Sequence, residues 1–506
     1  MLNTRAFNGE GKHLVSRLIA RLENTSLDPQ LLAKLQCPTS KAPLRESTDH
    51  RYVECEQSSH RYPITSGFPV FYKPEAVTRP ELSAAIEVSV LIMALNEAGN
   101  IELVVSDVVE ELQSLAVTHE IVVIDGGSSD DTVHLATKAG ARVIPQTSKG
   151  YAEGLIQGLK SLRGRYVITL DGDCSHDPTL IRELLRAATS GCIVIGSRWM
   201  TGGSFEGPLH RQILSRLLSR IFTAILHMPA TDISSGYRLY ARETLFPQDY
   251  RSRDFSILEE ILVRARMEGF NIREIPLRYK QRKEGNSHAR LAAFALSYLI
   301  TLKRMWMLRH DAGAADYDHR AYDSLNLIQR WWQRTRLKNI RAMMQAYWFQ
   351  GDVLDVGSGS SRIIQTFKHA VALDTSVKKL RFLGETNTRR VCGSALALPF
   401  KDGSFDCLIH SQLIEYLPKD DVIFSEIRRV LRPGGTVIIG TVDFGTWIWP
   451  TIEKIYGILL PHAYAEEHIS PYTLDSLKET LVRFGFRVDE VKSILKGEIT
   501  VRATLL

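Results

Sequence analysis

The stretch "YVITLDGDCSHDP", Tyr166 to Pro178, decides the fold. Val167 to Leu170 form the largely apolar run of a buried strand, which ends in Asp171 and Asp173 with one glycine between them. Two carboxylates so close cannot both enter a core without a cation, so the tip is either a solvated turn or a seat for a charged ligand. The same design occurs twice upstream. "VSVLIMALNE" (88–97) runs Val88, Val90 and Ile92 into Asn96 and Glu97, and "EIVVIDGGSSDDT" (120–132) runs an apolar stretch into Asp125, two glycines, Ser128, Asp130 and Thr132 ahead of a helix. Such strand, acidic tip, turn and helix units predict a doubly wound α/β sheet, whose ligands bind at the carboxyl ends of its strands.

With 506 residues the chain exceeds one core, because domains hold about 100–200 residues. Charged and apolar fractions of 24% and 44% are those of folded globular protein, and a net charge of +6 is too modest to argue for nucleic acid by itself. Six scattered cysteines, at 37, 55, 174, 192, 392 and 407, form neither a disulfide framework nor a dense metal cluster and fit a reducing compartment. The first residues lack a secretory apolar core, and the longest lipid-like run, "LAAFALSYLITL" (291–302), is shorter than the roughly 20 residues that span a bilayer. The expected location is therefore cytoplasmic, with a peripheral position on the inner face of the membrane. Four regions are expected: a small module at 1–80, a first catalytic domain at 86–310, a linker and lead-in helix at 311–345, and a second catalytic domain at 346–506.

An Asp pair at a strand tip suits a nucleotide diphosphate leaving group, whose charge a Mg²⁺ or Mn²⁺ held by one or two carboxylates can stabilise. Around it the blocks "ALNE", "IDGGSSDDT", "KGYAEGL", "LDGDCSHDP", "GSRWMTGG", "ATDISSGYRLY" and "IPLRYKQRKEGNSH" follow in order. Over residues 86–290 the chain resembles family 2 glycosyltransferases of the dolichol-phosphate mannosyltransferase branch, which implies a GT-A fold. The resemblance implies that Ala94, Asn96, Glu97, Asp125, Gly127, Ser128, Lys149 and Gly172 bind the nucleotide sugar, and that Asp171 and Asp173 are the metal ligands and catalytic. It further implies that Arg198 and Arg211 face phosphate or sugar, that Arg238, Arg282 and Ser287 close on the diphosphate, and that Arg198, Arg211 and Arg282 are catalytic. Met93 and His288 depart from the usual proline and lysine. The implied acceptor is a polyprenyl phosphate, whose ionised oxygen needs no strong base. "RQILSRLLSRIFTAIL" (211–226) carries Ile213, Leu214, Leu217, Leu218, Ile221, Phe222 and Ile225 at helical spacing beside Arg216 and Arg220, a stripe that either packs inward or lies on a membrane surface. The basic segment from Arg278 to Arg309 favours the membrane.

The second domain opens on "GDVLDVGSGSSRI" (351–363), a strand and glycine loop that by itself could equally cradle a dinucleotide. "AVALDTS", "GSALALPFKDGSFDCLIHSQLIEYL" and "RRVLRPGGTVIIGT" follow, and the set resembles class I S-adenosylmethionine-dependent methyltransferases. That likeness implies S-adenosyl-L-methionine as cofactor, with Asp355, Gly357, Ser358 and Gly359 at its methionine end, Asp374 at the ribose, and Ser394 and Ala395 near the adenine. "TWIWPTIEKIYGILLPHAYAEEHIS" (446–470) is a candidate substrate cap. The front segment, through "LLAKLQCP", "YVEC" and "RYPITSGFPVF", resembles small zinc-ribbon-like activators of methyltransferases. Ser40 and Ser58 stand where second cysteines would be, so Cys37, Cys55 and His60 leave at most three ligands and a metal-free module docking on the methyltransferase in cis is expected. The expected architecture is thus two Rossmann-like α/β domains plus a small α+β module, in an enzyme that transfers a sugar and a methyl group. Two alternatives stand beside it: a silent glycosyltransferase-like recognition domain serving the methyltransferase, and a nucleic-acid methyltransferase, which the basic aromatic stretch 327–344 suggests but the first domain leaves unexplained.

Overall fold

The computed structural model describes residues 26–72, 86–189, 191–245, 250–280, 291–311, 313–344, 349–386, 388–419, 421–459 and 468–506. The chain divides into two compact units, one built on residues 78–266 and 270–309 and the other on residues 25–77 and 310–506. Each is described by itself.

The front segment belongs to the second unit. Helix α1 (Pro29–Lys34) is started by Asp28, whose carboxylate accepts the Gln30 and Leu31 N–H groups, with proline at its first position. Strands β1 (Leu44–Glu46), β2 (Tyr52–Cys55), β3 (Arg61–Thr65) and β4 (Phe68–Pro69) form an antiparallel sheet in sequence order.

The first unit contains β5 (Val88–Ala94), α2 (Ile101–Ser114), β6 (His119–Asp125), α3 (Thr132–Lys138), β7 (Arg142–Pro145), α4 (Tyr151–Ser161), β8 (Tyr166–Asp171), α5 (Leu180–Ala187) and β9 (Cys192–Ser197). It continues through β10 (Ser204–Phe205), α6 (Leu209–Leu226), β11 (Arg238–Ala241), α7 (Ile257–Met267), β12 (Asn271–Pro276), β13 (Arg278–Tyr279) and α8 (Leu291–Arg309). Its main sheet has the order β12-β9-β11-β8-β5-β6-β7, and only β11 runs antiparallel to its neighbours. Register fixes the site: Ala94 pairs with Asp125 and Met93 with Asp171, so the acidic tips of three strands end side by side. The near-continuous burial of β5, β6 and β8 explains their unbroken apolar runs.

The rest of the second unit runs α9 (Tyr317–Ala321), α10 (Leu327–Met344), β14 (Val353–Val356), β15 (Ala370–Asp374), α11 (Val377–Leu383), β16 (Arg389–Cys392), β17 (Phe405–Ser411), a 3₁₀ turn (Ile414–Tyr416), α12 (Asp421–Val430), β18 (Leu431–Val442), α13 (Ile448–Leu459), α14 (Leu474–Arg483), β19 (Phe486–Ile494) and β20 (Glu498–Leu505). The sheet order is β16-β15-β14-β17-β18-β20-β19, with β20 antiparallel to both neighbours. The strand order reverses between β14 and β17, the place where a doubly wound sheet opens a crevice.

The front module does not stand alone: Leu31, Leu35 and Val53 share one buried cluster with Leu373, Val391 and Phe400. A segment this short cannot bury enough apolar surface by itself, and the main sheet of the second unit completes its core. Val70 bridges to Cys392 at the β16 edge, Phe71 donates its N–H to the Cys392 carbonyl at 2.7 Å, and Lys34 pairs with Asp352 at 2.7 Å. In the segment 311–345, expected as a linker and lead-in helix, α10 is a helix leading into β14 and α9 precedes it, both within the second unit.

Candidate active sites

In the first unit the loops after β5 and β6 are stitched together by side chains. Asp125 is buried, and its carboxylate accepts the N–H groups of Gly127 and Ser128, each at 3.1 Å. Asn96, at a φ of 55°, donates its N–H to Ser128 Oγ at 2.9 Å and accepts the Ser129 N–H through Oδ1 at 2.9 Å. Glu97 donates its backbone N–H to Thr132 Oγ1 and holds the Asn100 amide at 2.8 Å. Ala94 closes the strand, its carbonyl accepting the Gly126 N–H. Lys149 stands exposed just ahead of α4.

At the tip of β8 the Asp171 N–H is donated to His176 Nδ1 at 3.1 Å, so that ring carries its proton on Nε2. The buried Asp173 carboxylate accepts the Ser175 N–H at 3.0 Å and the Ser175 hydroxyl. Gly172 is tied to the Met93 carbonyl. The floor beside Asp171 is kept open by Gly236: a Cβ there would lie 3.8 Å from Asp171 Oδ1 and 3.7 Å from the Tyr151 hydroxyl. Two carboxylates at a strand tip with this space beside them fit a hard divalent cation, which takes few protein oxygens and keeps waters and ligand phosphates. Among the described residues no group of three or more His, Cys, Asp and Glu side chains could hold a metal. Tyr151, stacked on Phe255 with ring centres 4.3 Å apart, has its hydroxyl pushed well above the usual phenol range, first by burial and then by Asp171. The sequence reading quoted its block without singling it out, because nothing local shows that Tyr151 faces Asp171.

The arginines divide. Arg198 is clamped by Asp232 through Nε at 2.7 Å and Nη2 at 2.8 Å, reaches Ser234, and lies over the rings of Trp199, Phe205 and Tyr279. Burial would raise the Asp232 carboxyl, but the Arg198 charge overrides it and holds the acid ionised. Arg238 requires a correction: it is 0% exposed and donates to the carbonyls of Ser235, Leu258 and Ile233, so it braces the loop before β11 rather than meeting a diphosphate. Arg282 and Ser287, like His288, lie outside the described residues, and so does the side chain of Arg211 in α6.

In the second unit the β14 loop turns over the end of β15. Gly357 and Ser358 donate to the Leu373 carbonyl, Gly359 donates to Asp374 Oδ2 at 2.8 Å, and Ser376 donates to its Oδ1 at 2.8 Å. Asp355 is buried with Oδ2 lacking a hydrogen-bond partner, and burial, helped by the like charge of Asp374, raises its carboxyl to about 8. An orphaned acid beside a glycine loop fits a cationic ligand such as a sulfonium or amino group. Ser394 Oγ accepts the Leu396 N–H at 3.2 Å, and Ala395 is buried next to it.

Sequence reasoning missed Asp318, Tyr322 and Lys379. Asp318, on α9, accepts the Ser360 N–H and pairs with Lys379 at 3.0 Å, and its carboxylate occupies the space a Cβ on Gly359 would need. Gly359 also sits at a φ of 54°, so the position demands glycine twice over. Tyr322 bonds Ser361 at 2.9 Å. The only available signal was an Asp-rich segment in an apparent linker.

In the front segment Ser40 Oγ lies 3.3 Å from Cys55 Sγ, while the Ser40 N–H points to Cys37 Sγ and Ser58 Oγ lies 2.8 Å from His60 Nδ1.

The model of the family described as Glycosyl transferase family 2 matches residues 89–246, and that described as Methyltransferase domain matches 354–439. The dolichol-phosphate mannosyltransferase of Pyrococcus furiosus is 32% identical over 40% of this chain and 59% of its own length. Glycosyltransferase AglJ of Haloferax volcanii is 31% identical over 39% and 65%, and the low-salt glycan biosynthesis hexosyltransferase Agl6 of the same organism is 28% identical over 41% and 51%. The chain thus spans between about half and two-thirds of the length of these curated relatives. Among solved structures, glucosyl-3-phosphoglycerate synthase from Mycobacterium tuberculosis is 21% identical and covers 46% of this chain and 86% of its own, at a TM-score of 0.36, too low to bear on function. Residues 89–246 of the chain thus match family 2 glycosyltransferases and residues 354–439 match a methyltransferase domain, in that order.

Proposed function

We propose that the first domain transfers a sugar from a nucleotide sugar to a polyprenyl-phosphate-type lipid at a membrane surface, and that the second methylates an acceptor with S-adenosyl-L-methionine, on the same glycan or glycolipid. The observation that carries this reading is the register placing Ala94, Asp125 and Asp171 at one edge of the first sheet. In this reading Asp125, Asn96, Glu97, Gly127, Ser128 and Lys149 receive the nucleotide, and Asp171 and Asp173 hold Mg²⁺ or Mn²⁺. Such an ion supplies charge stabilisation to the departing diphosphate. Arg198 is a positioning residue: its neutralised clamp with Asp232 fixes the aromatic wall of Trp199, Phe205 and Tyr279. The acceptor phosphate is already ionised, so no base is required there.

The lipid acceptor and membrane attachment are supported by α6. Leu218, Phe222 and Leu226 turn inward, while Leu209 (69% exposed), Ile213, Leu217 (51%) and Ile221 face outward beside Arg216 and Arg220. On α8 Leu299 and Ile300 are exposed as well. A basic, outward apolar face suits the headgroup boundary of anionic bilayers. Among the described residues no helix is long and apolar enough to cross a membrane. The shared core and the Val70–Cys392 bridge support a role for the front module in cis, supporting the methyltransferase sheet.

The test is a transfer screen with Mn²⁺ or Mg²⁺, UDP- and GDP-sugars and polyprenyl phosphate in detergent, beside Asp173→Asn. Transfer from one donor that the variant loses bears the reading out. If no donor turns over while S-adenosylmethionine binds tightly, the first domain is a recognition module.

A further inference from the structure

An aromatic track leads to the carboxyl edge of the methyltransferase sheet. Trp332 and Trp449 lie with ring centres 6.4 Å apart, Trp449 and His468 6.2 Å apart, and His468 and Tyr416 4.9 Å apart, with Phe444 closing the set 5.6 Å from His468. The track is fixed at both ends. The Trp332 indole donates to the buried Glu498, whose charge is matched by a two-point contact with Arg336 at 2.6 and 2.7 Å. His468 is followed by Ile469 and Ser470, whose N–H groups are both donated to the Glu415 carbonyl, next to Tyr416.

The inner end adjoins the cofactor loop. Leu413, which opens the Ile414–Tyr416 turn, fills the space a Cβ on Gly357 would need. At this end two buried donors, Gln412 Nε2 and Trp449 Nε1, and one buried carboxyl oxygen, Glu415 Oε1, have no hydrogen-bond partner. Orphaned buried donors are costly, and a ligand that offers several oxygens would satisfy them. The Arg336–Glu498 pair is matched in charge, and burial pushes the neighbouring Glu415 carboxyl up to about 7. At the outer end Leu327, Ile328, Trp331 and Trp447 are exposed and form an apolar rim.

The geometry points to this track as the seat of the methyl acceptor, a hydroxyl of a neutral sugar ring with an apolar tail, stacked on Trp449 and deprotonated by His468. The inference rests on the methyltransferase reading above and names its acceptor class. The step balances: the hydroxyl oxygen forms a bond to the methyl carbon as its C–S bond to the sulfonium breaks, the proton passes to the imidazole, and neutral S-adenosylhomocysteine is left. Aromatic faces suit the C–H side of a sugar ring, while its oxygens meet the two donors.

The full chain with tritiated S-adenosylmethionine is offered octyl mannoside and octyl glucoside below their micelle concentrations, and catechol, adenosine and cytidine in parallel. Label is expected in an octyl glycoside. His468→Gln should lower kcat by about 100-fold. Trp449→Phe, which keeps the stacking face but lacks the indole N–H, should raise the glycoside KM by about tenfold with kcat nearly unchanged. Both variants should hold S-adenosylhomocysteine, measured by calorimetry, within about twofold of the parent. If the parent binds S-adenosylhomocysteine but labels neither glycoside, or labels only catechol or a nucleoside, this inference fails while the methyltransferase reading stands. If the parent does not bind S-adenosylhomocysteine, both fail. A His468→Gln protein that loses cofactor binding in step with activity, together with an unchanged glycoside KM in Trp449→Phe, would also overturn the assignment.

Discussion

Asp173 and Asp355 are both buried acids, yet they face opposite tasks. Asp173 is held by Ser175 at the end of a strand, where the neighbouring Asp171 and the gap at Gly236 suit a cation. Asp173→Asn preserves the Ser175 contacts and is expected to reduce sugar transfer by about 100-fold or more, with the thermal midpoint within a few degrees of the parent. Asp355 has a carboxyl raised from 3.8 to about 8 by burial, then by Asp374. A group that binds its proton more tightly when folded stabilises most below its unfolded pKa, and that contribution is lost as pH rises through the folded value. The ligand-free second unit is therefore expected to lose stability between pH 3.8 and about 8, by on the order of a few kcal/mol. Asp355→Asn should flatten that slope in denaturant titrations. Asp374, raised in the same direction, keeps a part of it.

Elements carry the next set of consequences. Helix α6 has a cored face and an apolar outer face, and Ile213→Asp with Leu217→Asp changes only exposed positions. That double variant is expected to abolish co-flotation with anionic vesicles without changing the protein's thermal midpoint, whereas a helix packed inward in solution would unfold on such a change. Leu35, fully buried, bridges to Phe400 next to α1 and belongs to the core that both segments share. Leu35→Ala should destabilise the second unit by about 2–4 kcal/mol and weaken S-adenosylhomocysteine binding indirectly, both readable by thermal shift with and without ligand. The sequence pattern identified the α6 stripe, but periodicity only says that one face is apolar. It does not say which apolar positions have a neighbour.

At the scale of the molecule, two units with separate cores and separate ligands predict two separable unfolding events. A nucleotide with Mn²⁺ at about 100 times its Kd should stabilise one transition by about 2.7 kcal/mol, and S-adenosylhomocysteine the other. Calorimetry that showed both ligands shifting a single transition would mean the units unfold as one body.

The sequence by itself determined the two sheets, their acidic strand tips and glycine loops, and the order of the domains, because these depend on short-range periodicity and on residues adjacent in the chain. It also marked Asp171, Asp173, Asp355 and Asp374 correctly as strand-end acids. Only the tertiary structure decided that Arg238 turns inward onto carbonyls and that Asp318 from an apparent linker covers Gly359. It alone brings Trp332, Tyr416, Trp449 and His468 into one track. These facts join positions far apart in sequence, and their convergence is set by which apolar faces pack together, information that no local pattern of residues contains.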